Sequence, residues 1–147
     1  MKTMTKLVAY TCALLLSSLL LMSAASAEQK KTLGDWEVHY IAFPSTFLTP
    51  EVARANDITR STTQAVVNIS VLDKQSKEAL DIEVSGSARN LLGTNKNLNF
   101  TTVKEGQAIY HLATVSFDDK EMLRFNIELK QGNTTQVLKF QQKMYEE

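Results

Sequence analysis

Hydrophobic and polar residues alternate with a period of two along most of the chain beyond residue 35. The clearest example is LDIEVSGSAR, in which Leu80, Ile82 and Val84 alternate with polar residues. Successive side chains of a strand point to opposite faces of a sheet, so this pattern predicts one buried and one solvated face. It predicts seven strands: DWEVHYIAF (35–43), AVVNISVL (65–72), LDIEVSGSAR (80–89), NLNFTTV (97–103), AIYHLATVSF (108–117), MLRFNIEL (122–129) and QVLKFQQKMY (136–145).

Short connectors rich in turn-forming residues join these stretches, as in DKQSK (73–77) and QGNT (131–134). Such connectors join antiparallel neighbours, and strands with one solvated face are typical of antiparallel sheets. The predicted fold is mainly β, an antiparallel two-sheet β-sandwich whose second half runs largely as a meander. Residues 108–117 are expected at a central position because both of their faces are apolar. Tyr110 is similar to the tyrosine corner of immunoglobulin-like domains, and an immunoglobulin-like arrangement stays open.

The alternation also predicts which side chains fill the space between the two sheets. The expected core residues are Val67, Ile69, Ile82, Val84, Tyr110, Leu112, Phe125 and Ile127.

One stretch, FPSTFLTPEVARANDITRS (43–61), interrupts the strands. It predicts one short helix near residues 49–57, with Thr49 as N-cap, Pro50 at the first position and Asn56-Asp57 at the end. The side with Leu48, Val52 and Ala55 is expected to pack on the sheets, because so short a helix is not stable alone. Our hypothesis is that residues 49–61 both plug the open end of the sandwich and form one wall of a binding surface; the alternative is that they are a plug alone.

The first 27 residues predict a cleavable secretory signal. Lys2 and Lys6 precede the apolar run LVAYTCALLLSSLLLM, and Ala25-Ser26-Ala27 supplies the small residues of a cleavage site after Ala27. The predicted domains are therefore a signal peptide, 1–27, and a single β-sandwich domain, 28–147, located in the periplasm. No second apolar span follows, so no membrane span is expected after cleavage.

Composition narrows the chemistry of the remaining 120 residues. Cys12 lies within the signal, so disulfides, a thiol nucleophile and a cysteine-bound zinc are excluded from the mature chain. Loss of Lys2 and Lys6 leaves 14 basic and 16 acidic residues, with no basic run longer than two. Nucleic acid is not expected as a partner, because it requires a concentrated positive surface.

Catalytic and metal-binding patterns are weak. His39 shares a strand face with Glu37, which could supply two metal ligands, although a solvated strand face explains the pair equally well. His111 lies in an apolar stretch that is typical of a structural histidine. Ser87 has no Gly-x-Ser-x-Gly elbow around it and no histidine near it in sequence. We therefore expect no metal, no cofactor and no assigned catalytic residue, and the sequence leans against an enzyme.

Two arginines at element ends are the candidate binding residues. Arg60 is followed by Ser61, and Arg89 by Asn90. A planar guanidinium beside a hydroxyl or amide suits a carboxylate or phosphate. A surface ion pair or a tie to a backbone carbonyl is the structural alternative.

The runs DWEVHYIAFPSTFLTPEVA, ITRS, VVNISVLDK, SARNLLGT, VKEGQAIYHLA and FQQKMY resemble a bacterial periplasmic family known as the domain of unknown function 4426. The resemblance covers nearly all of the mature chain. It implies a secreted one-domain protein of Gram-negative bacteria and implies no activity.

The sequence favours a non-catalytic periplasmic module that binds a protein or a small anionic ligand. A small hydrolase or metal-dependent enzyme is one alternative. A structural partner of an envelope assembly, docking by an exposed sheet edge, is another. The identity of the ligand and the oligomeric state are left open.

Overall fold

Nine β-strands and one short α-helix form the fold over residues 28–147, the part of the chain that the computed structural model describes. The predicted signal peptide lies outside the described residues. The strands are β1 (Gln29–Leu33), β2 (Trp36–Pro44), β3 (Gln64–Asp73), β4 (Glu83–Arg89), β5 (Asn95–Leu98), β6 (Thr101–Glu105), β7 (Ala108–Ser116), β8 (Glu121–Gln131) and β9 (Thr134–Met144). A 3-10 helix (Ser45–Phe47) and helix α1 (Pro50–Ala55) lie between β2 and β3.

The strands form two antiparallel sheets, which confirms the predicted β-sandwich with one short helix. The five-stranded sheet has the order β1-β2-β3-β7-β6, and the four-stranded sheet has the order β5-β4-β8-β9. The chain does not run as a meander within one sheet. It makes the hairpin β4–β5 in the four-stranded sheet, then β6–β7 in the other sheet, and then returns for β8–β9.

The predicted strand at 97–103 is two strands in different sheets. The chain crosses from β5 to β6 at residues 99–100. The crossing is invisible in the pattern because Leu98, before it, and Phe100, after it, both pack on the same core. Strand β1 was also not predicted, because QKKTL is almost entirely exposed and shows no alternation.

Five of the eight predicted core residues are buried between the sheets: Val67, Ile69, Ile82, Phe125 and Ile127. Val84 packs against this cluster while partly exposed. The prediction for β7 was wrong by one position. His111, Ala113 and Val115 face the core, whereas Tyr110 and Leu112 lie on the outer face. Both faces of β7 are apolar, so alternation alone could not decide which one is buried. Tyr110 pairs with Val103 within the β6–β7 ladder and does not mark a corner.

Helix α1 has the predicted ends. Thr49 accepts a hydrogen bond from the Val52 amide at 3.3 Å, and Pro50 occupies the first turn. At the other end Asp57 has a left-handed φ of 54°, and the Ile58 amide donates to the Ala53 carbonyl at 2.8 Å. The Asp57 amide also donates to the Arg54 carbonyl, which completes a Schellman motif.

The buried face of α1 differs from the prediction. Ala53 is buried and Val52 is exposed. That the helical segment plugs the open end of the sandwich stays a prediction; its Thr46 hydroxyl donates to the Glu147 carbonyl, beyond β9 of the other sheet, at 3.0 Å. Its residues 55–58 lie over the outer face of the five-stranded sheet, where they line a hollow with Thr101, Leu112 and Thr114. The preceding 3-10 helix packs on β3.

The two ends of the sandwich are built differently. At one end, here called the hairpin end, the connections are the turns 34–35, 74–78, 106–107 and 132–133. At the other end, here called the long-loop end, lie the segment 45–63, the loop 90–94, the turn 117–120 and residues 145–147. Within residues 28–147 neither helix is long and apolar enough to cross a membrane.

Candidate functional site

Two arginines lie directly opposite each other on the outer face of the four-stranded sheet. Arg89 is the last residue of β4, and its partner in the antiparallel register is Arg124 on β8. Both side chains are exposed. The next two positions of this row are Asn95 on β5 and Gln141 on β9. Residues opposite each other in a sheet have their Cβ atoms about 5 Å apart, so the two guanidinium groups share one region of the surface.

Amide and hydroxyl side chains surround the arginine pair. Ser87, Asn126 and Lys139 form the adjacent row across β4, β8 and β9. Together the two rows line a shallow hollow of about 580 Å³. We call this surface the basic face: Ser87, Arg89, Asn95, Arg124, Asn126, Lys139 and Gln141.

The arginines of the basic face have no acidic partner within the described part of the chain. The ion pairs within residues 28–147 involve Lys30, Lys77, Lys96, Lys104 and His39, but neither Arg89 nor Arg124. Like charges directly opposite each other destabilise a sheet. A planar donor fork also matches carboxylate or phosphate oxygens. The arrangement therefore costs stability in the free protein and is suited to hold an anion between the two side chains.

The loop after Arg89 is internally braced. The Asn90 side chain accepts a hydrogen bond from the Thr94 amide at 2.9 Å, and the Gly93 amide donates to the Asn90 carbonyl at 3.1 Å. Beside this loop Lys96 pairs with Glu121 at 2.8 Å, largely shielded from solvent. Burial opposes ionisation of Glu121, but hydrogen bonds from Lys96 and the Asp118 amide outweigh it and lower the pKa. Asn90 thus braces the loop that follows Arg89, and its role as a binding residue stays a prediction.

Arg60 and Ser61 lie elsewhere, where the segment 45–63 enters β3. The Arg60 guanidinium donates to the Thr46 carbonyl at 3.1 Å, which is the structural alternative considered above. The buried Ser45 hydroxyl donates to the Ser61 carbonyl and accepts from its amide at 2.9 Å. This latch closes the segment on itself. The hollow lined by Arg89 does not include Arg60 or Ser61, and the binding role of these two residues stays a prediction.

A second hollow, of about 800 Å³, lies on the outer face of the five-stranded sheet near the hairpin end. It is lined in part by His39, Ser70, Lys77 and Tyr110. Hydrogen bonds from Lys77 and then His39 lower the pKa of Glu37, beside it, from 4.5 to about 2. The Glu37 carboxylate already accepts hydrogen bonds from Lys77 and His39, which leaves it little capacity to bind a further group.

The histidines do not form a ligand cluster. The Nε2 atom of His39 lies 2.7 Å from Glu37, while its Nδ1 atom lies 3.6 Å from Glu28. A metal ion on either nitrogen could therefore meet only one of the two carboxylates. Over residues 28–147 no group of three His, Cys, Asp or Glu side chains could hold a metal ion.

His111 is buried in the core, as the structural alternative requires. Its Nδ1 atom lies 3.1 Å from the Thr102 hydroxyl, and no described group hydrogen-bonds its Nε2 atom. Burial lowers the pKa of His111, against the opposing influence of Asp81. Both described histidines belong to the five-stranded sheet, whereas Ser87 lies on the four-stranded sheet. The two sheets therefore separate the components of a Ser-His pair.

The sheet edge at β9 is partly covered. Lys31 on β1 donates to the Lys139 carbonyl at 2.6 Å, and its ammonium lies 5.6 Å from the centre of the Tyr40 ring. Lysine on or beside an edge strand hinders the addition of another strand. This contact makes β9 less suited to edge-to-edge docking.

Sequence reasoning identified Arg89 but missed Arg124, Asn126, Lys139 and Gln141. Each occupies a polar position of an alternating strand, which marks it only as solvent-facing. Their proximity depends on the register between β4, β8 and β9, and alternation carries no information about register with a distant strand.

The chain is similar to one protein family and to several solved structures. The family model for the domain of unknown function DUF4426 matches residues 30–147. The structure is similar to that of a DUF4426 family protein from Pseudomonas aeruginosa PAO1, with 36% identity and a TM-score of 0.72 over 82% of this chain and 96% of that chain. No curated protein is significantly similar to the chain.

Two structures of FetP from uropathogenic Escherichia coli share the fold at 8% identity. A copper-bound FetP variant has a TM-score of 0.59 over 80% of this chain and 95% of that chain. FetP as isolated has a TM-score of 0.57 over 81% and 94%. At this identity the likeness concerns the fold alone.

Proposed function

The chain belongs to the DUF4426 family, and from that premise and the geometry above we propose that it is a non-catalytic periplasmic binding module. Its ligand carries phosphate or carboxylate groups and binds on the basic face. The observation that carries this proposal is the register of Arg89 opposite Arg124 without an acidic partner among the described residues.

The surroundings of the arginine pair support recognition of a polar anion. Asn95, Asn126 and Gln141 can donate from their amides, and Lys139 adds a third positive charge at the far side of the hollow. The hollow is also lined by Phe125, which is buried, and by Phe140, which is half-buried, so its most exposed groups are the polar side chains of the two rows. An open, rigid sheet surface suits an extended ligand better than an enclosed one.

The periplasmic location is supported by the sequence of residues 1–27. A basic start, an apolar run and Ala25-Ser26-Ala27 are typical of a cleavable export signal. N-terminal sequencing of the exported protein is expected to begin at Glu28. A protein that retains Met1 would contradict this location.

Copper is named for a FetP structure, and a metal-dependent function deserves comparison with this site. In the present chain His39 faces two carboxylates that cannot converge on one ion, and Glu37 already accepts hydrogen bonds from Lys77 and His39. The geometry therefore favours anion binding over a metal site.

The proposal is tested by titrating the protein, residues 28–147, with inorganic pyrophosphate and with polygalacturonate, followed by calorimetry. These probes carry phosphate and carboxylate groups respectively. Arg89→Ala and Arg124→Ala are each expected to weaken binding by about ten- to a hundredfold, because a charge-assisted hydrogen bond contributes about 1.5–3 kcal/mol.

Lys74→Ala is the matched control, since this exposed lysine lies at the hairpin end, away from the basic face. It removes one positive charge and is expected to leave affinity nearly unchanged. Failure of both probes to bind would overturn the proposal. So would equal losses in Lys74→Ala and Arg124→Ala, because the attraction would then be general and not located on the basic face.

A further inference from the structure

Large exposed hydrophobic side chains concentrate at the long-loop end. Among the described residues the exposed ones are Phe47, Val52, Leu91, Leu92, Val137 and Tyr145. Five of them, Phe47, Val52, Leu91, Leu92 and Tyr145, lie in the segment 45–63, the loop 90–94 or residues 145–147 at this one end of the sandwich. The turns of the hairpin end are composed of Gly, Asp, Lys, Gln, Ser, Glu and Asn.

The loop 90–94 presents two of these side chains in a fixed orientation. Leu91 is 66% exposed and Leu92 is 93% exposed. Gly93 permits the turn with a φ of 86°, and the hydrogen bonds of Asn90 close it at both ends. Single exposed leucines are common on protein surfaces, but two adjacent ones on a braced loop form an apolar projection.

Positive charge adjoins the projection. Arg89 directly precedes the loop, and Arg124 lies opposite Arg89. Lys143 follows on β9 near the same end, with its ammonium 5.6 Å from the centre of the Tyr145 ring. Within residues 28–147 none of these three cations forms an ion pair.

We propose that the long-loop end docks on the surface of an anionic lipid bilayer, with Leu91 and Leu92 inserted among the acyl chains and Arg89, Arg124 and Lys143 on lipid headgroups. This inference rests on the proposed function, because it identifies the anion of the basic face as a lipid phosphate. A bilayer offers apolar chains and anionic headgroups within one layer. The leucines of the loop match the apolar chains, and the adjacent arginines are opposite in charge to the headgroups.

Carboxylates at the same end limit this attraction. Asp119 accepts a hydrogen bond from the Glu146 amide at 3.1 Å, and Glu121 is paired with Lys96. Other carboxylates of this end are exposed, namely Glu51, Asp57, Asp118, Glu146 and Glu147. Attachment is therefore expected on the side of the loop 90–94 and not across the whole end. It is also expected to be reversible, because two leucines bury little apolar area.

The test is co-sedimentation of the protein with two kinds of vesicle. One kind contains phosphatidylethanolamine and phosphatidylglycerol, and the other contains phosphatidylcholine alone. The wild type is expected to bind the anionic vesicles and not the neutral ones. Leu91→Ser/Leu92→Ser is expected to lower partitioning on the order of tenfold or more, because both side chains leave the apolar phase.

Val137→Thr is the matched control, because Val137 is an exposed apolar residue of the same sheet away from the long-loop end. It is expected to bind vesicles as the wild type does. The leucines are exposed, so the double variant is expected to keep the wild-type melting temperature, which excludes unfolding as the cause of lost binding.

The outcomes separate this inference from the proposed function. If the leucine variant binds vesicles as the wild type does, or if the wild type binds none, lipid docking is overturned. If the protein instead dimerises in sedimentation velocity and the leucine variant abolishes the dimer, a second copy occupies this end and lipid docking is again overturned. In either case retained binding of pyrophosphate or polygalacturonate by the leucine variant leaves the proposed function intact. Loss of vesicle binding in the leucine variant together with retained binding of a soluble polyanion supports both.

Discussion

The hairpin end and the long-loop end connect the same two sheets in contrasting ways. At the hairpin end, turns with left-handed residues such as Gly34, Gly106 and Gly132 reverse the chain in a few residues. At the long-loop end the connection between β2 and β3 alone takes residues 45–63. A short turn suffices to join antiparallel neighbours, so the extra residues and the exposed leucines are not required by the fold. The contrast indicates that the long-loop end carries the surfaces available for function.

One hydrophobic core supports both ends of the sandwich. Phe125 is buried in this core and stacks on Phe140 with ring centroids 4.5 Å apart. Phe125→Ala is expected to lower the free energy of unfolding by about 3–5 kcal/mol, because it removes a large buried side chain and leaves a cavity. Chemical denaturation measures the loss.

Glu128→Ala, on the outer face of the same strand, is the control and is expected to change stability little. If the Phe125→Ala protein melted in two separate transitions, the ends would be independent units and the comparison would not hold.

A second difference between the two ends is the Ser45 latch, the two hydrogen bonds that join the Ser45 hydroxyl to the backbone of Ser61 at the long-loop end. Ser45 is fully buried and satisfies both the amide and the carbonyl of Ser61. Ser45→Ala is expected to cost about 1–3 kcal/mol, because it leaves buried polar groups without a partner. Ser76→Ala at the hairpin end removes an exposed hydroxyl that accepts a hydrogen bond from the Glu78 amide and also interacts with Asp73, and it serves as the matched control. Equal melting temperatures for the two variants would show that the segment 45–63 is not held by this latch.

A smaller change in stability, of opposite sign, is expected at the pair formed by Arg89 and Arg124. Arg124→Glu is expected to stabilise the protein by about 0.2–1 kcal/mol, because it converts a like-charge pair opposite Arg89 into an attractive one. The same change is expected to abolish binding of pyrophosphate. Thermal melting and calorimetry measure the two effects. A variant that is destabilised would show that Arg89 and Arg124 do not repel each other in the free protein.

The smallest effect concerns Glu37 near the hairpin end and depends on pH. The lowered pKa of Glu37 means that its hydrogen bonds from Lys77 and His39 stabilise the folded state above pH 4.5. This contribution is lost as the pH falls from 4.5 through about 2, where the folded-state carboxylate takes up a proton. The melting temperatures of wild type and Glu37→Gln are therefore expected to differ near neutral pH and to converge below about pH 2. A constant difference across this range would contradict the assignment.

Most of the fold was predictable because its signals are local. Thr49, Pro50 and Asn56-Asp57 specify the ends of α1 through their own hydroxyl, ring and left-handed backbone. Alternation located most of the strands because only one of their faces is buried. It failed for β7, where Tyr110 and Leu112 are as apolar as the side chains that face the core. It also failed at the crossing from β5 to β6, where Leu98 and Phe100 reach one core from two sheets.

The candidate site likewise combines features that the local sequence determines with features that depend on the tertiary structure. The sequence by itself determined most of the strands, the helix ends, the absence of cysteine from residues 28–147 and the presence of Arg89 at an element end. Only the tertiary structure placed Arg124, 35 positions away, opposite Arg89, and gathered Phe47, Leu91, Leu92 and Tyr145 at one end. The physical reason is that a period of two reports which face a side chain occupies. The partner across the ladder depends on strand order and register, which the packing of the whole core decides.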